Sequence, residues 1–411
     1  MRTWRQARGW DVPEMARRLR RAARELRQPA AEQDGLVRMI YAWERDAHAV
    51  TERYLLLYAR AADVDPSDIT RGAGVLSPSD LKGDEAPVLR REFGLATLGA
   101  LAGAFVPGRA VTAVSAEHVA GLQGTAAGLW KRDRQVGGSA LLSEAKGYFR
   151  TAREWLDSAT YTTAVGADLL AVTAELAACA GFIAFDASDQ ATARNLLTES
   201  LILSGSDPVL SSHACALLAM QSSSVSASTG HPGLAREALR FLDQAAQVAR
   251  HEQSAKLHAV VSMRRSLAAA LLGDASRARR HIDGARRELD RGDDARDPEW
   301  FAFVTPTEIT AHEATAAMYL GQPEHAAGIF RDVLADASLS ARNKVFYSAQ
   351  LAGALEAAGD YPEAVRTGLG VLENLEGAVR SGRTLNILKP VRGNAECGDE
   401  FAFRYDALVS A

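Results

Sequence analysis

Apolar and small residues recur at helical spacing through most of the chain, most clearly between residues 345 and 375. Two stretches with this spacing flank a turn, Gly359-Asp360-Tyr361-Pro362. Pro362 falls in the first turn of the second stretch, where a helix tolerates proline. The small side chains of Ala352 and Ala364 would let the two helices approach closely. The pattern therefore predicts a helical hairpin.

The same hairpin pattern occurs five times, and each copy can be aligned on its turn. The five turns are Ser188-Asp189, Gly230-His231, Gly273-Asp274, Gly321-Gln322 and Gly359-Asp360. Five residues after each turn comes an alanine: Ala193, Ala235, Ala278, Ala326 and Ala364. These alanines are 42, 43, 48 and 38 residues apart, whereas a standard tetratricopeptide unit has about 34 residues. The pattern predicts tetratricopeptide-like repeats with longer helices or links.

Two further positions follow the same register. Seven residues before each turn lies a small residue: Gly181, Ser223, Ser266, Ala314 and Ala352. Four residues after the first four alanines lies a large apolar residue: Leu197, Leu239, Ile282 and Phe330. Gly368 occupies this position in the fifth copy and breaks the series.

Residues 1–70 predict a separate, small helical domain. Asp11-Val12-Pro13-Glu14 is a helix start signal, and the apolar stripe after it predicts a helix ending near Leu26. Residues 36–46 and 52–62 predict two more helices, Trp4 and Trp10 flank an earlier one, and Asp65-Pro66 opens a fifth. Residues 71–89, rich in Gly, Pro, Ser and Asp, have the composition of a linker.

Charge is distributed unevenly along a chain whose formal net charge is −4. Residues 1–45 carry eleven arginines against six acidic residues. A basic head on an acidic body is typical of a DNA-binding domain joined to an effector domain. A solvated, arginine-rich helix in a GC-rich genome is the alternative explanation.

The head resembles the helix-turn-helix regulators of the XRE (lambda-repressor-like) class. The matching residues are Ile40, Trp43-Glu44-Arg45, Thr51, the stripe from Tyr54 to Tyr58, and Val64-Asp65-Pro66. More narrowly, the chain is similar to actinobacterial regulators that join such a head to a tetratricopeptide-like body. The resemblance implies an all-α protein with a small N-terminal helix-turn-helix domain followed by a right-handed helical-hairpin solenoid.

This fold assigns a role to each segment of the chain. The expected segments are residues 1–70 as the head, 71–89 as the linker, 90–160 as linking and capping helices, 161–380 as the repeat array, and 381–411 as a C-terminal cap and tail. Within residues 90–160, helices are expected at 115–130 and 140–156, separated by Lys131-Arg132-Asp133-Arg134 and Gly137-Gly138.

The resemblance also implies function: a ligand-responsive transcription regulator that binds double-stranded operator DNA as a homodimer. If the third helix enters the major groove, Arg38, Tyr41 and Arg45 are placed to reach base edges. Arg17, Arg18 and Arg21 would then hold the phosphate backbone. In similar regulators the body receives a peptide or small diffusible signal, commonly controlling development or secondary metabolism, so quorum sensing is one expected role.

Two departures from that class keep a second hypothesis open. Val12 stands where the class usually has a polar residue. The stretch between Ala16 and Ile40 is also about fourteen residues longer than the tight turn of the class needs. An adaptor for protein–protein interaction with a degenerate head would explain both departures, including the inserted stretch 17–35.

The chain is expected to be cytoplasmic and to have no membrane partner. Arg90-Arg91 and the apolar run after it are similar to a twin-arginine export signal, but export signals are N-terminal. The run from 94 to 106 is too short to cross a bilayer and predicts a buried helix. Cys179, Cys215 and Cys397 show no paired spacing, which suits a reducing compartment.

No sequence pattern indicates catalysis, a cofactor or a metal site, so we expect a protein that is not an enzyme. The sequence has no phosphate loop, no His-Glu-x-x-His and no Gly-x-Ser-x-Gly. Asp186, Ser188 and Asp189 suggest a metal loop, but the inter-helix turn explains them.

The repeats do predict a binding groove, because the first helix of each tetratricopeptide hairpin lines the concave face. Aromatic, methionine and polar side chains on those helices form an adaptable surface. The expected groove residues are Glu175, Phe182, Phe185, Met220, Gln221, Met263, Arg264, Glu308, His312, Thr315, Tyr319, Asn343, Phe346 and Gln350. Packing between repeats is the alternative role for each of them.

Overall fold

The computed structural model describes residues 10–25, 32–44, 54, 57–58, 60–61, 112–395 and 399–410. The chain divides into two compact units, Met1–Phe93 and Gly94–Ala411. The predicted linker, the helix beside Arg90-Arg91, and the helices expected at Trp4 and Asp65 lie outside the described residues, as does Cys397.

In the N-terminal unit the described residues include two helices, α1 (Val12–Glu25) and α2 (Gln33–Glu44). The Asp11 carboxylate accepts a hydrogen bond from the Glu14 N–H at 2.6 Å and caps α1. The apolar stripes of the two helices meet in a core that also contains aromatic and aliphatic residues from further along the chain. The fully buried members of this core are Met15, Ala16, Leu19, Leu36, Ile40 and Leu57, and Tyr54 and Tyr58 are nearly so.

The body is helical almost throughout, and its described residues contain no strand beyond one isolated bridge between Ala113 and Thr160. Two leading helices are α3 (Ala116–Val136) and α4 (Leu142–Ser158). Ten helices follow as five hairpins: α5 (Thr163–Asp186) and α6 (Gln190–Leu203), α7 (Pro208–Thr229) and α8 (Pro232–Val248), α9 (Ala255–Leu271) and α10 (Ala275–Leu289), α11 (Pro306–Tyr319) and α12 (Pro323–Leu334), α13 (Ala341–Ala357) and α14 (Tyr361–Glu376). Three helices close the chain: α15 (Gly382–Ile387), α16 (Lys389–Asn394) and α17 (Glu400–Ser410). The expected all-α class is confirmed over these residues.

Each of the five predicted turns joins the two helices of one hairpin. The glycines of the last four turns have φ between 67° and 85°, and Ser188 has φ 67° in the first turn. The residue after each of these is the N-cap of the second helix, and the Asp189, Asp274 and Asp360 carboxylates accept N–H groups there. All five aligned alanines are buried. The repeat pattern in the sequence therefore corresponds to packed helical hairpins.

The C-terminal helix explains the break in the series at Gly368. A Cβ atom at Gly368 would lie only 2.5 Å from Cε2 of the Phe401 ring. Phe401 is fully buried, so its ring fills the space that the larger side chain fills in the other hairpins. The tail is thus ordered by its apolar residues: Phe401 and Tyr405 are buried, whereas Phe403 is 76 % exposed.

One boundary differs from the sequence-based expectation. The charged run Lys131-Arg132-Asp133-Arg134 was expected to separate two helices but continues α3, with Asp133 buried within the body. Near the C-terminus, Pro390 lies in the first turn of α16, a position that tolerates proline.

One helix, α5, is long and apolar enough by composition to cross a membrane. In the body 72 % of its most apolar window is buried against neighbouring helices, as expected for a central repeat helix.

Candidate ligand-binding cavity

The last hairpin of the body returns to the first through a buried ion pair. Arg342 of α13 donates from Nη2 to Oδ1 of Asp186, at the end of α5, over 2.8 Å. Arg383 of α15 reaches the same oxygen at 3.0 Å, and the Gly138 N–H donates to the other one at 2.8 Å. Nε of Arg342 also lies 3.7 Å from Asp133. We call these four side chains, Asp133, Asp186, Arg342 and Arg383, the closure cluster.

The electrostatics of the closure cluster keep Asp186 charged. Burial alone would raise the pKa of Asp186, but the charges of Arg342 and Arg383 and the Gly138 N–H outweigh it and hold this pKa at about 2. Burial raises the pKa of Asp133 to about 6, although Arg342 opposes the shift. In the cluster, the Asp186 carboxylate therefore pairs with two guanidinium groups, those of Arg342 and Arg383.

Backbone and side-chain hydrogen bonds reinforce the junction. The Arg380 N–H donates to the Val136 carbonyl at 2.7 Å, and the Ser139 N–H donates back to the Arg380 carbonyl at 3.1 Å. The side-chain amide of Asn386 donates to Oγ of Ser188 at 2.9 Å. The array therefore closes on itself, since residues of α13 and α15 contact α3 and α5.

The closed array surrounds a cavity of about 730 Å³. The first helices of the hairpins, α5, α7, α9, α11 and α13, all contribute side chains to its wall, and α3 and the α15–α16 region complete it. Eleven of the fourteen expected groove residues line it: Phe182, Phe185, Met220, Arg264, Glu308, His312, Thr315, Tyr319, Asn343, Phe346 and Gln350.

The other three expected residues lie elsewhere. Met263 is fully buried in the core of the body. Gln221 lies outside the lining of the cavity, and its side-chain amide donates to the Gln190 carbonyl at 2.7 Å. Glu175 lies nearer the start of α5, outside the lining of the cavity, and burial raises its pKa to about 7.

Several residues that line the cavity were not among the expected groove residues. Some lie outside the five hairpins, and others lie on the hairpin helices α7 and α13. These are Trp130, Asp133 and Arg134 of α3, His213 and Leu217 of α7, Trp300 and Phe303 of the link before α11, Arg342 and Tyr347 of α13, and Arg383 and Asn386 of α15. The repeat register could have indicated the α7 and α13 residues. Nothing local indicated the others.

An aromatic wall forms one side of the cavity. The His213 ring lies 3.9 Å from the Trp300 ring and 6.1 Å from the Trp130 ring, between centroids. Trp130 in turn contacts Phe182 at 5.7 Å. Neither ring nitrogen of His213 has a hydrogen-bond partner among the described residues. Burial, with a smaller contribution from the Arg264 charge, lowers the pKa of His213 to about 3, so the ring is neutral.

A polar group of three side chains occupies another part of the wall. The Tyr347 hydroxyl donates to Glu308 at 2.5 Å, and Nδ1 of His312 lies 3.5 Å from the other carboxylate oxygen. Burial raises the pKa of Tyr347, and Glu308 raises it further. Burial lowers the pKa of His312 despite the opposing effect of Glu308. Glu308 thus has partners within the protein.

Arg264 is the unusual charged residue of the cavity. It is 6 % exposed, and Nη1 donates to the Ala216 carbonyl at 2.5 Å. Its Nε is buried without a hydrogen-bond partner, and the side chain forms no ion pair within the described part of the chain. Burial lowers the pKa of Arg264 to about 10, although Glu308 opposes this shift.

In the head, the described candidate DNA contacts lie on α1 and α2. Arg17 and Arg18 both form ion pairs with Glu14, and the Arg18 guanidinium lies 4.2 Å from the Trp10 ring centroid. Arg21 is exposed, and Tyr41 is 45 % exposed. Arg38 lies within α2, and Arg45 is outside the described residues.

Among the described residues, no group of three His, Cys, Asp or Glu side chains is placed to hold a metal ion. Cys179 and Cys215 are buried free thiols whose pKa burial raises, so thiolate chemistry is disfavoured. No protein-family model matches the chain, and no curated protein matches it in sequence.

Proposed function

We propose that the chain is a cytoplasmic, ligand-responsive DNA-binding regulator that acts as a homodimer. The observation that carries this proposal is the partly open cavity within the closed array, whose wall includes His213 and Arg264, with buried ring or guanidinium nitrogens that have no hydrogen-bond partner among the described residues. Ligand sites typically combine apolar walls with a few precisely placed polar groups, in volumes of about 300–1,000 Å³. The cavity has both properties.

The contribution of both ends of the array to one cavity wall favours a small molecule over a peptide as the signal. An extended peptide requires an open groove along the array, whereas here α15 and α16 contribute Arg383, Asn386 and Pro390 to the wall. A compact ligand within this wall would contact residues from both ends of the array.

The wall also offers a way for a ligand to act at a distance. Arg342 and Arg383 belong both to the closure cluster and to the lining, so a bound molecule would favour the closed arrangement of the array. A ligand shifts such an equilibrium only by its differential affinity for the two arrangements. The body would transmit the signal through that difference.

The head supplies the DNA-binding part of the proposal. Its support is the resemblance to XRE-class regulators, the excess of arginine in residues 1–45, and an exposed Tyr41 on α2. The exposed Arg17 and Arg21 of α1 are free to contact phosphates, since a pair such as Arg17–Glu14 at the surface is weak and exchangeable.

Selection of genomic DNA fragments on the purified full chain, with a salt titration, tests this function. The proposal predicts recovery of one or a few sites and a steep loss of affinity with salt, because phosphate contacts release counterions. Arg38→Ala with Arg45→Ala should abolish specific binding while the body remains folded. Weak, sequence-blind binding that these substitutions leave unchanged would reject it and favour the adaptor.

A further inference from the structure

The charged groups of the cavity wall differ in whether the protein itself neutralises them. Arg342 and Arg383 share Asp186, and Arg134 lies 3.7 Å from Glu299. Glu308 accepts the Tyr347 hydroxyl. Arg264 donates to the neutral carbonyl of Ala216, and the charge of Glu308 acts on it only from beyond ion-pair distance. It is therefore the one lining guanidinium without an ion pair in the described part of the chain.

An unpaired guanidinium at 6 % exposure is expensive to maintain. Removing a charge from water costs several kcal/mol even after relaxation, and a protein normally offsets this with a buried carboxylate. The rest of the body follows that rule, as the closure cluster shows. Arg264 lines the cavity, and its Nε is buried without a hydrogen-bond partner among the described residues, which fits a counter-ion supplied from outside.

The neighbourhood of Arg264 defines the remainder of the ligand. Ala216, which holds the guanidinium, lies three residues after His213 on α7, so the charge is placed within one helical turn of the aromatic wall. Trp130, Trp300 and His213 provide flat apolar surface there, and Leu217 and Leu267 also line the cavity.

We propose that the cavity binds one small amphipathic molecule with a single carboxylate, which pairs with Arg264 while its apolar part packs on Trp130, His213 and Trp300. The fork of an arginine matches the two oxygens of a carboxylate. A second anionic group is disfavoured, because the other lining arginines, Arg134, Arg342 and Arg383, are already paired with carboxylates of the protein. This inference rests on the proposed function only in taking the cavity as the ligand site.

Pyrenebutyrate and its methyl ester form a matched pair of fluorescent probes for this site. They share an aromatic body and differ in the carboxylate. Equilibrium titrations on the full chain should show one site and tighter binding of the acid than of the ester. Arg264→Met keeps a similar side-chain length without charge, and it should weaken the acid about tenfold or more while changing the ester by about twofold or less. Arg264→Lys, which keeps the charge, should retain part of the preference for the acid.

Arg265→Met is the matched control, because Arg265 is the next residue of α9 and pairs with Asp243 outside the cavity lining. It should leave both probes unchanged. Equal affinity of acid and ester for the natural chain, an equal effect of Arg264→Met on both probes, or no binding of either would overturn the inference.

A cavity-filling substitution separates this inference from the proposed function. Ser224 is a half-buried lining residue of α7, and Ser224→Trp should block both probes. If acid and ester bind equally and Ser224→Trp removes both, the cavity remains a ligand site and only the role of Arg264 fails. If both probes bind Ser224→Trp as tightly as they bind the natural chain, the cavity itself is not the site and the proposed sensor fails.

Discussion

Arg342 and Asp186 are 156 residues apart in the chain, yet their buried side chains meet at 2.8 Å. This pair joins the last hairpin of the array to the first, and Arg342 also lines the cavity. Repeat arrays generally make contacts only between neighbouring units. A contact between the two ends therefore brings residues from both ends of the array into one cavity wall.

The closure cluster should contribute strongly to the stability of the body. In Asp186→Asn, the guanidinium groups of Arg342 and Arg383 lose their charged partner, and removing one member of a buried pair typically costs about 3–5 kcal/mol. Urea unfolding monitored by circular dichroism would measure the loss.

Asp243→Asn is the control, since Asp243 forms a half-exposed pair with Arg265. That change should cost about 1 kcal/mol or less. Equal losses for the two variants would show that the closure cluster does not hold the array together.

Arg264 should lower the stability of the unliganded protein. Replacing an unpaired buried charge with an apolar side chain of similar size removes a desolvation cost, so Arg264→Met should raise the free energy of unfolding by about 1–3 kcal/mol. The same variant should lose affinity for carboxylate probes. If Arg264→Met is less stable than Arg265→Met, the guanidinium serves the fold, and the case for an external counter-ion is lost.

Glu175 should make the stability of the body depend on pH. Burial raises its folded-state pKa to about 7, and its unfolded value lies near 4.3. A raised carboxyl pKa favours folding at low pH, and this contribution is lost as pH rises through about 7.

Glu175→Gln removes that titration. The variant should therefore be more stable than the natural chain above pH 7 by roughly 1–3 kcal/mol, and the difference should disappear below about pH 4. Thermal unfolding across this range measures it, with the exposed Glu324→Gln as control. A difference that is constant with pH would refute the assignment.

Docking of the tail should depend on Phe401 and not on Phe403. Phe401 is fully buried against Gly368, and truncating such a ring costs about 3–5 kcal/mol, whereas Phe403 is 76 % exposed. Phe401→Ala should speed amide hydrogen exchange in α17, and Phe403→Ala should leave it unchanged. Equal rates of amide exchange in the two variants would show that burial of the Phe401 ring does not dock α17.

Local sequence information was sufficient for the hairpins. A positive-φ glycine followed by a capping residue, then a buried alanine one turn later, fixes the geometry of a turn within about ten residues. Ser188 shows the limit of that rule, because it adopts φ 67° without being glycine, and its hydroxyl accepts a hydrogen bond from Asn386.

The closure of the array was not predictable in the same way. Asp133 lies in a charged run that is typical of a loop, and nothing nearby indicates that Arg342 will neutralise it from the far end of the array. Met263 illustrates a different error: it is adjacent to Arg264, but a step of one residue turns a helical side chain by about 100° from cavity to core. Most of the expected groove residues therefore line one cavity, whereas the rest of its wall depends on long-range contacts.

The most direct test of the central claim is the affinity of the full chain for its selected DNA fragment, with and without small-molecule extract of the host. Fluorescence anisotropy would follow the DNA, and extract fractions would be compared on the natural chain, on Ser224→Trp, and on Ser276→Trp, which places the same ring on an exposed position of α10. The account predicts that a fraction containing a small carboxylic acid shifts the affinity of the natural chain and of Ser276→Trp but not that of Ser224→Trp. A shift that persists in Ser224→Trp, or no shift with any fraction, would contradict a sensor that acts through this cavity.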